Sequence, residues 1–229
     1  MKAMILAAGR GERMRPLTDN LPKPLLKVGA KSLIEYHIDA LQKAGIRELV
    51  INHAWLGYKI EAYLGNGSQF GVNIQYSRER QALETAGGII QALDLLGHDF
   101  FIVVNGDIFT DYDYSRLSHL KTDRLAHLVL VKNPEHNSTG DFYLKSGVTG
   151  EADVYTDNVS AGTMQAYTFS GIGLYHPDFF ADSKPGRQAL APLLRDAMNH
   201  QLVSGELYQG AWLDIGTPQR LAELNQQYV

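Results

Sequence analysis

The chain has 229 residues, 45% of them hydrophobic and 20% charged, with 21 Lys and Arg against 25 Asp and Glu for a formal net charge of −4. That length can bury a full core in one domain, and that charge gives no general attraction to nucleic acid. There is no cysteine, which excludes disulfide scaffolds, thiolate catalysis and cysteine-ligated zinc. The longest apolar runs, such as Phe100 to Val104, are far too short to span a bilayer. Charged residues interrupt the first twenty positions, so no secretory signal is expected there. A soluble cytoplasmic protein is the expectation.

The first predicted element is a buried strand over Met4 to Ala8. It runs into Gly9-Arg10-Gly11-Glu12-Arg13-Met14-Arg15-Pro16, and then into Pro22-Lys23-Pro24. Such a stretch suits a polyanion. Glycines let main-chain N–H groups approach phosphate oxygens, and Arg10, Arg13, Arg15 and Lys23 supply positive charge. The flanking prolines restrict the main chain at Lys23. Taken alone, the G-x-G spacing reads more readily as a tight turn with basic surface residues. Met14 stands where the dinucleotide fingerprint needs a third glycine, and no phosphate-loop G-K-[ST] follows.

Ser32-x-x-Glu35 is a capping box opening a helix whose face carries Ile34, Ile38 and Leu41, with Gly45 to end it. Glu48 to Asn52 reads as a buried strand, Leu56, Ile60 and Leu64 mark a second helix, and Val72 to Tyr76 a third strand. The alternation predicts a wound, Rossmann-like α/β sheet, mostly parallel and mixed overall, flanked by helices. Leu83 to Gly88 reads as a loop opening onto a helix that carries Ile90, Leu93 and Leu96. Phe100 to Val104 is a central strand ending in Asn105-Gly106-Asp107, where open α/β sheets place their ligands. Asp107 as a turn cap is the competing local reading. Asp111 and Asp113 read as cap and surface residues.

After a strand over Ala126 to Val131 the regularity weakens. Residues 133–175 read as a meandering wall of a cleft. A helix follows with Leu190, Leu193, Leu194, Ala197 and Met198. Trp212 to Ile215 is a last short strand, and Thr217 caps a final helix with Pro218 at its first position. No histidines fall at zinc-binding spacing.

The string Leu6-Ala-Ala-Gly-x-Gly-x-Arg13-Met-Arg15-Pro-Leu-Thr, followed by Pro22-Lys23-Pro24-Leu, resembles the opening motif of the sugar-1-phosphate nucleotidylyltransferases. Trp212-Leu-Asp214-Ile-Gly-Thr-Pro resembles their W-x-D-x-G-T-P segment. The likeness covers the whole chain and implies a single domain of the nucleotide-diphospho-sugar transferase type over 1–229. Residues 1–131 would be the nucleotide-binding half, and 132–229 the sugar-binding half with the C-terminal helix. It implies that Leu6, Ala8, Gly9, Gly11, Glu12, Arg13 and Lys23 wrap the nucleoside triphosphate, with Arg15 and Lys23 on its phosphates. Gly87 and Gly88 would meet the base through backbone groups. Glu84, Thr85, Asn105, Gly140 and Gly171 would meet base or sugar. Asp107 and Asp214 would bind Mg2+.

The implied reaction joins UMP from UTP to a sugar 1-phosphate and releases pyrophosphate. Within the family, Asn52 to Gly57, Leu83 to Gly88, Val104 to Asp107 and Gly140-Asp141-Phe142 look like short uridylyltransferases of N-acetylmuramic acid α-1-phosphate, which serve peptidoglycan recycling. The expected partners are therefore UTP and a sugar 1-phosphate, with no nucleic acid and no membrane. Mannose or glucose 1-phosphate as substrate, or a catalytically silent sugar-nucleotide sensor, are the alternatives. The Glu-Lys-Pro stretch whose lysine grips the sugar phosphate in many members is missing here, and the β-helix or regulatory domain that several members append is not expected.

Overall fold

The sheet grows outward from a strand with no polar interior. Ala3, Met4 and Ile5 are wholly buried and form the middle of β1 (Lys2–Leu6). The computed structural model describes residues 1–145, 152–156 and 164–227. In chain order β1 is followed by β2 (Lys27–Val28), β3 (Lys31–Ser32), α1 (Leu33–Lys43), β4 (Glu48–His53), α2 (Gly57–Leu64), β5 (Asn73–Arg78) and α3 (Glu84–Leu96). Then come β6 (Phe101–Asn105), β7 (Ile108–Thr110), α4 (Ser115–Ser118), β8 (Ala126–Val131), β9 (Phe142–Lys145), β10 (Ala152–Tyr155) and β11 (Met164–Tyr175). The chain continues with α5 (Leu190–Asn199), β12 (Val203–Tyr208), β13 (Trp212–Asp214) and α6 (Pro218–Gln226).

Nine strands form one mixed sheet in the order β5-β4-β1-β6-β11-β8-β12-β10-β9, with β9 also pairing with β11. β5, β4, β1 and β6 are mutually parallel. β11 runs antiparallel to both β6 and β8, and β12 lies parallel to β8. The sheet's two faces carry different cores, as the pleat requires. Ala3 and Ile5 pack with Ile38, Leu41 and Ile60 from α1 and α2. Met4 packs with Ile89, Leu96, Leu190 and Leu194 from α3 and α5.

The expected capping box is present at α1, where the Ser32 N–H donates to Glu35 Oε2 at 2.6 Å. Thr217 caps α6, its hydroxyl oxygen accepting from the Arg220 N–H at 3.4 Å. Asp113 accepts from the Ser115 N–H at the start of α4, and Asp111 accepts from the Tyr208 hydroxyl.

Two expectations need correction. The stretch from Glu84 to Gly88 is not a loop before a helix, because α3 already begins at Glu84. The segment 133–175 is not wholly a meandering wall. Its last twelve residues form β11, a strand at the centre of the sheet. The sequence hides it because β11 changes partners midway. Its first half pairs with β9, and its second half lies between β6 and β8. A register break between Phe169 and Ile172 separates the halves, so no single period runs through it. Residues 146–151 and 157–163, which the sequence reading placed in the same wall, lie outside the described residues.

Candidate active site

β1 and β6 are parallel neighbours with Leu6 opposite Asn105, so both release their chains at the same edge of the sheet. The Ala7 N–H is held by Asn52 Oδ1 at 2.9 Å. The glycine loop then turns through a 3-10 helix over Glu12–Met14, and the Thr18 hydroxyl donates to the Gly11 carbonyl at 2.7 Å. Pro22 precedes, and Pro24 lies within, a second 3-10 turn over Lys23–Leu25. The Leu25 and Leu26 N–H groups close it onto the Pro22 and Lys23 carbonyls. This turn leaves Lys23 only 8% exposed. Its Nζ meets Asp107 Oδ2 at 2.6 Å.

Asp107 follows β6 through Gly106, whose N–H donates to the Leu6 carbonyl at 2.9 Å. It stands just before β7, which pairs antiparallel with β13 so that Asp214 lies opposite Ile108. The Ile215 N–H also donates to the Asp107 carbonyl at 2.8 Å. This small ladder brings together the main chains of two aspartates that are far apart in the chain. Asp214 Oδ2 accepts from Arg220 at 2.5 Å. Its Oδ1 is buried without a hydrogen-bond partner among the described residues, and His136 Nε2 stands at ion-pair distance, 2.9 Å away. A buried carboxylate oxygen left unmatched is costly and suits a cation. Among the described residues no group of three or more His, Asp or Glu side chains is placed to hold a metal. A pair of carboxylates completed by substrate oxygens and water is a magnesium donor set, and Asp107 and Asp214 fit it.

Three concavities adjoin these groups. One of about 290 Å³ is lined by Gly9, Gly11, Glu12, Arg13, Lys23, Asp107 and Gly216. A second, of about 340 Å³, is lined by Leu6, Ala8, Gly9, Lys23, Asn52, Glu84, Thr85, Asn105, Asp107 and Arg187, among others. A third, of about 440 Å³, shares Glu84, Thr85 and Asn105 with the second and extends to Asp141, Phe142, Phe169 and Arg195. Leu6, Ala8, Gly9, Gly11, Glu12, Arg13, Lys23, Glu84, Thr85, Asn105 and Asp107 are thus brought together around these concavities.

Arg15 is not among them. Its guanidinium binds Asp19 at 2.6 Å and its side chain is 63% exposed. Arg13 lines the smallest concavity instead. Arg10 stacks over Trp55 at 4.6 Å. The four glycines further along the chain line none of the three concavities. The Gly87 N–H is already given to the Gln188 carbonyl at 3.0 Å. A Cβ on Gly87 would fall 2.2 Å from the Gly186 carbonyl, and one on Gly88 would fall 2.7 Å from Asn52 Nδ2. Gly140 is pressed against Tyr167 and Asn133. Gly171 occupies the β11 register break with φ +82°, a conformation that favours glycine, and a Cβ there would lie 2.5 Å from Asn105 Nδ2. These glycines admit close packing behind the site.

Several site residues escape sequence reasoning. Asn52 bridges the glycine loop to the Glu79 carboxylate, donating to it at 2.7 Å. Burial pushes the Glu79 carboxyl above the usual range, against hydrogen bonds from the Leu83 N–H and Asn52. Arg187 pairs with Glu84 at 2.7 Å, and Glu84 holds φ 61°, uncommon for a residue with a side chain. Arg220, His136, Asp141 and Arg195 complete the surroundings. The Gly-Arg pair before α5 and the arginines on α5 and α6 were the available signals, but isolated arginines carry no spacing pattern.

A glycine loop with a buried lysine, an arginine beside it and two carboxylates at the strand ends define an α/β protein that handles a polyphosphate. The nucleotidyl transferase family profile matches residues 2–229. The chain belongs to the nucleotidyl transferase family. It is 53% identical over 229 aligned residues to the N-acetylmuramate alpha-1-phosphate uridylyltransferase of Neisseria meningitidis serogroup B, covering 97% of this chain and 96% of that one. The enzyme of the same name from Caulobacter vibrioides is 34% identical, with 95% and 92% covered. A Bacillus anthracis crystal structure described as a glucose-1-phosphate thymidylyltransferase superposes with a TM-score of 0.83 at 23% identity, covering 99% of this chain and 94% of that one. That likeness establishes the fold. Among the described residues no helix is long and apolar enough to cross a membrane.

Proposed function

We propose that this chain transfers UMP from UTP to N-acetylmuramic acid α-1-phosphate, giving the UDP-sugar and pyrophosphate. The observation that carries the mechanism is the convergence of Arg13, Lys23, Asp107 and the glycine loop on one concavity that opens into the larger cleft. The choice of UTP and muramic acid rests on the extent of identity to the two uridylyltransferases.

In this reading an oxygen of the sugar phosphate attacks the α-phosphorus, the bond to the bridging oxygen breaks, and pyrophosphate leaves. A phosphate dianion is already nucleophilic, so the chain need not provide a covalent nucleophile. Its task is to hold two polyanions together and to stabilise charge on the leaving group. Arg13 and Lys23, with the N–H groups of the glycine loop, bind the outgoing phosphates. Arg13 thereby takes the part expected of Arg15. The base packs between Leu6–Ala8 and the start of α3, and Asn52 keeps the loop in place through the Ala7 N–H. Arg187, beside Asn105 in the cleft, supplies the grip on the sugar phosphate that Glu-Lys-Pro gives elsewhere. Gly87, Gly88, Gly140 and Gly171 shape the walls. Asp107 and Asp214 would hold Mg2+, which when bound neutralises phosphate charge and polarises phosphoryl oxygens. We place the reaction in the cytoplasm, in the recycling of cell-wall sugars.

Mixing the protein with Mg2+, each common nucleoside triphosphate and each of several sugar 1-phosphates, and measuring pyrophosphate, tests the reading. Release with UTP and the muramic acid phosphate above every other pair is expected. Preference for another pair would replace the substrate, and no release with any pair would refute the enzyme.

A further inference from the structure

The third concavity is lined by a cation, Arg195, that forms no ion pair among the described residues. Arg195 lies on α5 at the far end of the cleft from Lys23 and Asp107, and neither of those residues lines this part. The two carboxylates that share the lining are already engaged. Glu84 is paired with Arg187. Asp141 accepts from the Phe169 N–H at 2.9 Å and from Asn137 Nδ2 at 3.1 Å. No carboxylate of the described residues lies within ion-pair distance of Arg195, which is held over the Phe142 ring at 5.7 Å. Phe142 stacking restrains the guanidinium, so less freedom is lost when it binds an anion. One part of the lining is apolar, from Phe169, Leu190 and Leu194.

We propose that Arg195 is a specificity-determining residue that binds the carboxylate of an acidic sugar. The inference rests on the muramic acid reading and extends it to a residue. Muramic acid differs from glucosamine by a lactyl ether, which adds one carboxylate and one methyl group. A guanidinium beside an apolar wall matches both parts, and its fork pairs with a carboxylate bidentately. The distance of Arg195 from the triphosphate groups keeps it from competing for phosphate. Asn105, which lines both concavities, stands between the phosphate end and the carboxylate end.

Arg195→Ala and Arg195→Lys are to be compared with the unaltered protein, using UTP with N-acetylmuramic acid 1-phosphate and with N-acetylglucosamine 1-phosphate. Losing a charge-assisted bond should lower kcat/KM for the muramic acid substrate by roughly tenfold to a hundredfold, chiefly through KM. The glucosamine substrate should be unaffected, and lysine should restore part of the loss. Equal losses on both substrates, or no loss on either, would overturn the role of Arg195. A thermal melt accompanies each variant: equal losses with an unchanged melting temperature overturn the role, and if Arg195→Ala melts early the comparison of the two substrates is decided on Arg195→Lys. If the unaltered protein itself fails to prefer the muramic acid substrate, the substrate reading falls, and the proposal with it.

Discussion

Lys23 Nζ and Asp107 Oδ2 lie 2.6 Å apart at the mouth of the glycine loop. The lysine is nearly buried and the aspartate is partly open. Each therefore compensates the other in this arrangement, and the proposed function requires the pair to separate, the lysine turning to phosphate and the carboxylate to a cation. Asp107→Asn should lower kcat by at least about 10²-fold, as removal of a charge-stabilising group at a reacting centre does. UTP binding should persist, because Lys23 is then freed for phosphate. Lys23→Ala should instead raise KM for UTP. Equilibrium binding of UTP beside steady-state rates checks both. Chelation of divalent ions should stop pyrophosphate release, and full activity without them would remove Asp107 and Asp214 from the metal role.

Arg13 and Arg15 are two positions apart and face different surroundings. Arg13→Ala should cost roughly tenfold to a hundredfold in kcat/KM for UTP, the worth of a charged hydrogen bond. Arg15→Ala removes only a surface pair with Asp19. Its stability should change by less than about 1 kcal/mol and its rate hardly at all. A larger loss in Arg15→Ala than in Arg13→Ala would reverse the assignment.

Gly171 is the point where β11 crosses behind Asn105. Gly171→Ala places a methyl group against the Asn105 side chain at a positive φ. The cost should be about 1–2 kcal/mol in stability, with a further loss of kcat/KM as Asn105 is pushed into the cleft. Chemical denaturation and rate measurements on one sample separate the two effects. A stable, fully active variant would show that the bulge can relax.

His37 is buried on α1, and its Nε2 has no hydrogen-bond partner among the described residues. Burial pushes its pKa down to about 4, despite the nearby Ile108 main chain and the Asp107 charge. The unfolded chain binds a proton there below about pH 6.5, whereas the folded one does so only near pH 4. Stability carried by the neutral ring is therefore complete above pH 6.5 and is lost as pH falls through that window. Between pH 6.5 and 5 the loss is on the order of 2 kcal/mol. Urea titrations of the unaltered protein and of His37→Phe at pH 7 and pH 5 should diverge by that amount, and parallel curves would show that His37 does not titrate on unfolding.

Local pattern was enough for β1, α1, β4, α3 beyond its first turn, β6, α5 and α6, because apolar periodicity, capping boxes and helix-starting prolines act over a few residues. Lys23, Asp107 and Asp214 stand in strings that resemble the family's motifs, whereas local pattern by itself leaves Asp107 open between ligand and turn cap and Asp214 open as a residue that orders the turn before α6. Tertiary structure alone decided what depends on distant partners. The β7–β13 ladder sets Asp214 opposite Ile108, and no local energy term relates positions so far apart. The turn over Glu12–Met14 decides that Arg13 faces inward and Arg15 outward. β11 is a central strand only because β6 and β8 satisfy its main chain on either side, which its mixed polar and glycine-containing sequence does not announce. Arg187 and Arg195 become cleft residues for the same reason. A charged side chain on a helix is a solvated surface group until the fold places a concavity beside it.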